Sequence, residues 1–318
     1  MQKGARSLLH EIGSTTSGTA VTAVPVLIRP SYAAHQNNER RGTMAIVKVN
    51  FFSESLLRMV NLMCVIPIDK REMDGEGLRS IDKPMKTLYL LHGIYGGEYD
   101  WITSTRLFKW AKDRNLAVIL PAGENSFYSD QEKMHNYFGK FIGDELIRFT
   151  RTMFRLSDRR EDTFIGGLSM GGMGALYTAF RYPDTFGYVG GLSTAFLGES
   201  FPKADDPSMY LLSSRTYFEQ IFGREEDYHG SGMDPYQLAA DVKASGKEFP
   251  KIFMRIGEDD PLLEGNLKYR KYLEELEAPL DFALDKGAHD WAFWDRNLYR
   301  FLEWLPVEQK PQKKIYDF

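Results

Sequence analysis

Thr163-Phe164-Ile165-Gly166-Gly167-Leu168-Ser169-Met170-Gly171-Gly172-Met173-Gly174-Ala175-Leu176-Tyr177-Thr178-Ala179-Phe180 decides how this chain is read. Thr163–Ile165 is short, β-branched and aromatic, which predicts a buried strand. Met170–Phe180 carries small and apolar residues at helical spacing and predicts a helix. Between them lies Gly167-Leu168-Ser169-Met170-Gly171, a G-x-S-x-G turn. Strand, tight turn and helix in that order lift the Ser169 hydroxyl above the end of a sheet. The serine then sits in strained backbone, and glycines two positions either side let neighbouring backbone approach. The helix N-terminus presents unpaired N–H groups where negative charge would develop on a reacting oxygen. A glycine-rich turn of this kind can also cradle phosphate or simply pack, but the flanking elements favour a nucleophile.

The same rhythm runs outward on both sides. Ala45–Asn50 and Asn61–Asp69 read as two strands, and the polar Arg71–Pro84 as a turn region. Thr87–Leu91 and Leu116–Leu120 are short and fully apolar, as central strands are. Leu107–Arg114 reads as a helix, and Tyr137–Phe154 as one long amphipathic helix. Tyr188–Leu192, Ile252–Ile256 and Leu280–Leu284 complete the strands, with helices over Leu262–Leu276 and Trp291–Leu305. Strands alternating with helices predict an α/β fold: a mostly parallel central sheet with helices on both faces. Residues 195–250 break the alternation. They are charged and aromatic (Tyr210, Tyr217, Phe218, Phe222, Tyr228), and read as an insertion at the carboxyl edge of the sheet, where open parallel sheets bind ligands. The domain is expected over 44–306, with a polar leader over 1–43 that adds little to the fold and a short solvated tail over 307–318.

The 318 residues carry 40 Lys and Arg against 44 Asp and Glu, a net charge of −4. No strong positive field is available, so neither nucleic acid nor an anionic membrane is an expected partner. The single cysteine, Cys64, excludes an intrachain disulfide and any multi-thiolate metal site. Apolar runs fall short of the roughly 18 residues that a membrane-spanning helix needs. The leader, with Pro25 breaking its one apolar patch, fits an export signal poorly, and the expected location is the cytoplasm. A homo-oligomer is compatible with this composition.

A serine nucleophile needs a base. His10 and His35 fall in the leader, and His135 and His229 in polar surroundings. His92 follows a strand directly and reads as architectural, its ring bonding nearby backbone. When the chain order is nucleophile, acid, histidine, the base is His289, in the glycine-containing loop after the last strand. The acid should lie at a strand end between them. Gly257-Glu258-Asp259-Asp260-Pro261 offers three carboxylates. Asp260 is preferred because Pro261 biases it toward extended backbone, with Asp259 as the alternative. Asp290, adjacent to the base, is a poorer candidate. Two backbone N–H donors would bind the oxyanion: Met170, directly after the nucleophile, and Ile94, in the loop after Thr87–Leu91. Asn125-Ser126-Phe127-Tyr128, beyond Leu116–Leu120, is expected to line the acyl or alcohol pocket, and Asn125 and Tyr128 in it, with Trp291 just after the base, are the candidates for substrate contact. No metal or cofactor is implied.

Leu88-Tyr89-Leu90-Leu91-His92-Gly93-Ile94-Tyr95-Gly96-Gly97, the Ser169 stretch, and Gly287-Ala288-His289-Asp290-Trp291-Ala292-Phe293-Trp294 together resemble the esterase D-like family of alpha/beta hydrolases. The likeness runs from about Met44 to Pro306 and is strongest to the tributyrin esterase and acetylesterase branch. It implies the alpha/beta-hydrolase fold, with Ser169, Asp260 and His289 as triad and Ile94 and Met170 as oxyanion donors. The implied activity is hydrolysis of short-chain acyl esters, acetyl above all, including esters on carbohydrates. A feruloyl-type esterase or an acyltransferase using the same acyl-enzyme are the alternatives. The S-formylglutathione hydrolase branch carries a cysteine shortly after its His-Gly motif, and Ile94–Trp101 has none.

Overall fold

The computed structural model describes residues 22–25, 43–69, 84–197, 201–206 and 211–308. Nine strands form one sheet: β1 (Thr22–Pro25), β2 (Thr43–Ser53), β3 (Arg58–Asp69), β4 (Thr87–Leu91), β5 (Ala117–Pro121), β6 (Thr163–Leu168), β7 (Tyr188–Leu192), β8 (Lys251–Gly257) and β9 (Leu280–Asp285). Their spatial order is β1-β2-β3-β5-β4-β6-β7-β8-β9. The first four strands in that order pair antiparallel, and every pair from β5 to β9 is parallel. All parallel strands therefore end at one edge, and the loops that leave them converge there.

Strand alternation distributes the core between the two faces. Tyr89 and Leu91 of β4, with Ala117 and Ile119 of β5, point into one cluster with the helices Phe138–Lys140, Met170–Arg181 and Leu263–Glu275. Leu88, Leu90, Val118 and Leu120 point to the other, with Leu107–Arg114 and Trp291–Trp304. Both faces being covered, the central strands are apolar throughout and fully buried. Gly190 of β7 has a packing reason: a side chain there would start 2.6 Å from the Phe301 ring, so glycine lets the last helix settle onto the sheet.

Three expectations are revised. Thr22–Pro25, inside the leader expected to add little to the fold, pairs with Val47–Asn50 as an edge strand. The rest of 1–42, with the Arg71–Pro84 turn up to residue 83, Tyr210 and the tail from 309, lies outside the described residues. The helix over Tyr137–Phe154 is present, but Phe141–Glu145 winds as a π-helical segment. From it the buried Glu145 carboxylate accepts hydrogen bonds from Ser53 Oγ at 2.8 Å and from the N–H groups of Glu54 and Ser55, holding the β2–β3 turn. In the insertion, Phe201, Phe218, Phe222 and Tyr228 pack on one another with ring centroids 5.3–6.2 Å apart. These rings form an internal cluster.

Candidate active site

Ser169 stands at the end of β6 with φ 52° and ψ −117°, left-handed backbone that a residue with a Cβ rarely adopts. Neighbouring strand ends hold it there. Its N–H donates to Leu192 O at 2.8 Å, and its carbonyl accepts from Ala195 N–H at 3.1 Å. A Cβ on Gly171 would lie 2.4 Å from Leu91 O and 2.6 Å from His92 O, so the turn can press against the end of β4 only with glycine at that position.

Ser169 Oγ and His289 Nε2 are 3.1 Å apart. The other face of the imidazole meets Asp260, with Nδ1 3.0 Å from Oδ2 and 3.2 Å from Oδ1. The loops after β8 and β9 are zipped together by Glu258 N–H to Asp285 O and Asp259 N–H to Gly287 O, which sets acid and imidazole side by side. Asp260 Oδ1 also accepts from Leu262 N–H at 2.9 Å. Burial pushes the Asp260 carboxyl up, but hydrogen bonds from His289, Ser193 and Leu262 outweigh it and hold the group below the usual carboxylate value. An ionised Asp260 accepts from Nδ1–H, which leaves Nε2 free to accept the Ser169 proton. Asp259 and Glu258 are exposed. Asp290 caps the last helix, accepting from Phe293 N–H at 2.8 Å.

His92 is buried between backbone groups. Its Nδ1 lies 2.7 Å from Gly93 O, and Nε2 accepts from Gly123 N–H at 2.8 Å. Burial drives its pKa down, so the ring is a neutral strut between the loops after β4 and β5. The loop carrying Ile94 follows directly, and no described hydrogen bond uses the Ile94 N–H. Met170 is the first residue of its helix, where the N–H has no intrahelical partner.

Ser169 and His289 open into a cavity of about 530 Å³, walled by Ile94, Tyr95, Phe127, Leu212, Trp291 and Trp294 among others. Trp291 lines this cavity, and the insertion contributes Ala195, Leu197 and Leu212 to its wall. Tyr128 is not in this wall: it is fully buried, and its hydroxyl donates to His92 O at 3.1 Å. Asn125 is also displaced from the expected role. Its Oδ1 accepts from Tyr95 N–H at 2.8 Å, and its carbonyl accepts from Tyr217 Oη of the insertion at 2.6 Å. The first bond braces the loop that carries Ile94, and the second ties the loop after β5 to the insertion. The turn between β5 and the short ribbon strand Asp130–Gln131 points Phe127, not Tyr128, at the cavity, a direction that residue type alone does not reveal. A larger groove of about 770 Å³, lined by Tyr177, Arg181 and Met233 among others, holds none of Ser169, Asp260 and His289. Among the described residues no cluster of His, Cys, Asp or Glu could hold a metal ion, and no helix is long and apolar enough to cross a membrane.

Comparison with known proteins gives a consistent picture. A family model described as "Putative esterase" matches residues 79–305. An acetyl esterase of Caldicellulosiruptor saccharolyticus is 36% identical over 268 residues, covering 82% of this chain and 98% of its own length. Among solved structures, the fluorophosphonate-binding serine hydrolase FphF of Staphylococcus aureus superposes with a TM-score of 0.71 at 30% identity, covering 83% of this chain and 99% of its own. The S-formylglutathione hydrolase FrmB of Staphylococcus aureus follows, with a TM-score of 0.69 at 29% identity and coverage of 83% and 99%.

Proposed function

This chain belongs to the Esterase family and is a carboxylic ester hydrolase of alpha/beta-hydrolase fold, and from that premise we propose that it removes short acyl groups, acetyl foremost, through an acyl-enzyme on Ser169. The observation that carries the residue assignment is the continuous contact from Ser169 Oγ through His289 to Asp260. Ser169 Oγ attacks the ester carbonyl carbon as His289 Nε2 takes its proton. The carbonyl oxygen becomes an oxyanion, held by the N–H groups of Met170 and Ile94. Asp260 stabilises the imidazolium and keeps its Nε2 aimed at the reacting oxygens. Collapse of the intermediate breaks the bond to the alcohol oxygen, which leaves with the proton from His289. Water then attacks the acyl carbon, passing its proton to His289, and the carboxylic acid departs as Ser169 recovers its proton.

The short-acyl preference is supported by the acetyl esterase likeness and by the cavity. Its volume of about 530 Å³ has to serve both acyl group and alcohol, and bulky Trp291, Trp294 and Leu212 wall it. Acetylated sugars are the natural ester class proposed. A series of p-nitrophenyl esters from acetate to hexadecanoate, run beside acetylated xylo-oligosaccharides, methyl ferulate and S-formylglutathione, tests the reading. The expected order has acetate and butyrate highest in kcat/KM, with acetate released from the oligosaccharides. A maximum at octanoate or longer, or on ferulate or S-formylglutathione, would overturn it.

A further inference from the structure

We propose that Asp100 is a specificity-determining residue of the catalytic cavity, its carboxylate accepting hydrogen bonds from hydroxyl groups on the alcohol half of the ester. It thereby selects uncharged, polyhydroxylated alcohols. The inference rests on the acetylated-sugar reading above and deepens it. An acetyl group carries no donor, so an acceptor in the wall can be answered only by the alcohol. Asp100 lines the cavity into which Ser169 and His289 open. Beyond Ser169, His289 and Tyr95 that wall is apolar, with Ile94, Phe127 and Leu212 in it, and Asp100 supplies the one carboxylate among the described lining residues. In pockets of this make-up the few polar groups fix orientation and set specificity.

The fold holds this residue in place without satisfying its carboxylate. Asp100 opens the short helix Asp100–Ser104, and its N–H donates to Gly97 O at 3.2 Å. Trp101, the next residue, is buried and donates from Nε1 to Leu91 O at 3.0 Å. Its ring stands edge-on to Trp291, centroids 5.4 Å apart. The start of the helix is thus tied to the end of β4 and to the wall beside the base. A Cβ on Gly96 would overlap Asp100 Oδ2, so glycine in the loop that carries Ile94 leaves the carboxylate room against it. Among the described residues no donor is hydrogen-bonded to Asp100 Oδ1 or Oδ2, and no cation pairs with them. Tyr95, in the same wall, keeps 55% of its surface exposed and offers an apolar ring face. A sugar presents the complementary pair, a C–H face for the ring and hydroxyls for the carboxylate. A negatively charged alcohol would instead meet Asp100 as a like charge and is disfavoured.

The test uses the full chain with Asp100→Asn, which keeps an acceptor oxygen without the charge, and Asp100→Ala, which removes both. kcat/KM is measured on a methyl mono-O-acetyl-β-xyloside, p-nitrophenyl acetate, para-acetoxybenzoate and the methyl ester of the last. All four form the same acetyl-enzyme, so differences among them read the alcohol alone. A ratio taken on one preparation is also independent of how much of it is folded. The xyloside-to-p-nitrophenyl ratio is expected to fall by about tenfold or more in Asp100→Ala, and by less in Asp100→Asn. The ratio of para-acetoxybenzoate to its methyl ester is expected to rise by at least about threefold in both variants. The proposal is overturned if the first ratio falls by less than about threefold in Asp100→Ala, or if the second is unchanged in both variants. The two levels separate cleanly. A parent enzyme that hydrolyses p-nitrophenyl acetate but releases no acetate from the xyloside removes the acetylated-sugar reading, and the sugar contact with it. A parent active on the xyloside, with Asp100→Ala keeping the parent's ratio, removes only the role of Asp100.

Discussion

Ser169 Oγ stands 3.1 Å from His289 Nε2 although 120 residues separate them along the chain. The sheet makes this encounter. β6 and β9 are both parallel members, so the loops that follow them leave from the same edge. The last helix, beginning at Trp291, then fixes where the preceding loop ends, since Asp290 caps it and Trp294 packs edge-on to the imidazole.

Ser169→Ala should lower turnover of p-nitrophenyl acetate by at least about 10⁴-fold, because among the described residues no other hydroxyl is hydrogen-bonded to His289. The melting temperature should barely move, since the elbow is held by backbone bonds to Leu192 and Ala195 that alanine keeps. Steady-state kinetics and a thermal melt check both halves.

Asp260→Asn should cost about 10⁴-fold in kcat, as an amide opposite Nδ1 favours the wrong tautomer. Asp259→Asn, one residue earlier but exposed, should stay within about twofold of the parent. Equal losses from the two would contradict the geometry.

His92 links stability to pH. Its folded-state pKa lies below 6.5, so under mildly acidic conditions the unfolded chain binds a proton that the folded chain refuses. The contribution of neutral His92 is complete above pH 6.5 and is lost as pH falls below it. Melting temperature measured from pH 7.5 to 5 should decline more steeply for the parent than for His92→Gln, by a slope of up to about one proton.

Tyr128→Phe should destabilise the fold by about 1 kcal/mol, leaving His92 O without its buried donor. KM for p-nitrophenyl acetate should be unchanged, because the ring never meets the cavity. A large KM effect without loss of stability would return Tyr128 to the substrate-contact role.

Trp291→Ala should open the cavity wall and raise the octanoate-to-acetate ratio of kcat/KM by at least about fivefold. The p-nitrophenyl ester series reads this directly. Leu212→Ala, altering the wall from the insertion side, should act in the same direction and show that 195–250 bears on substrate choice.

The sequence by itself determined the layered fold, the strand order of appearance, the elbow at Ser169 and the candidacy of His289. These are legible because each rests on neighbours in the chain: apolar runs of strand length, helical spacing, and glycines beside one serine. Tertiary structure alone brought Asp260 rather than Asp259 against His289, turned Tyr128 inward while Phe127 faces the cavity, folded the aromatic insertion onto itself, and set the Ser193 hydroxyl on Trp294. In each case the direction of a loop side chain is imposed by partners far away in sequence — Gly287 on Asp259, His92 on Tyr128, Trp294 on Ser193 — and no local pattern encodes such a meeting.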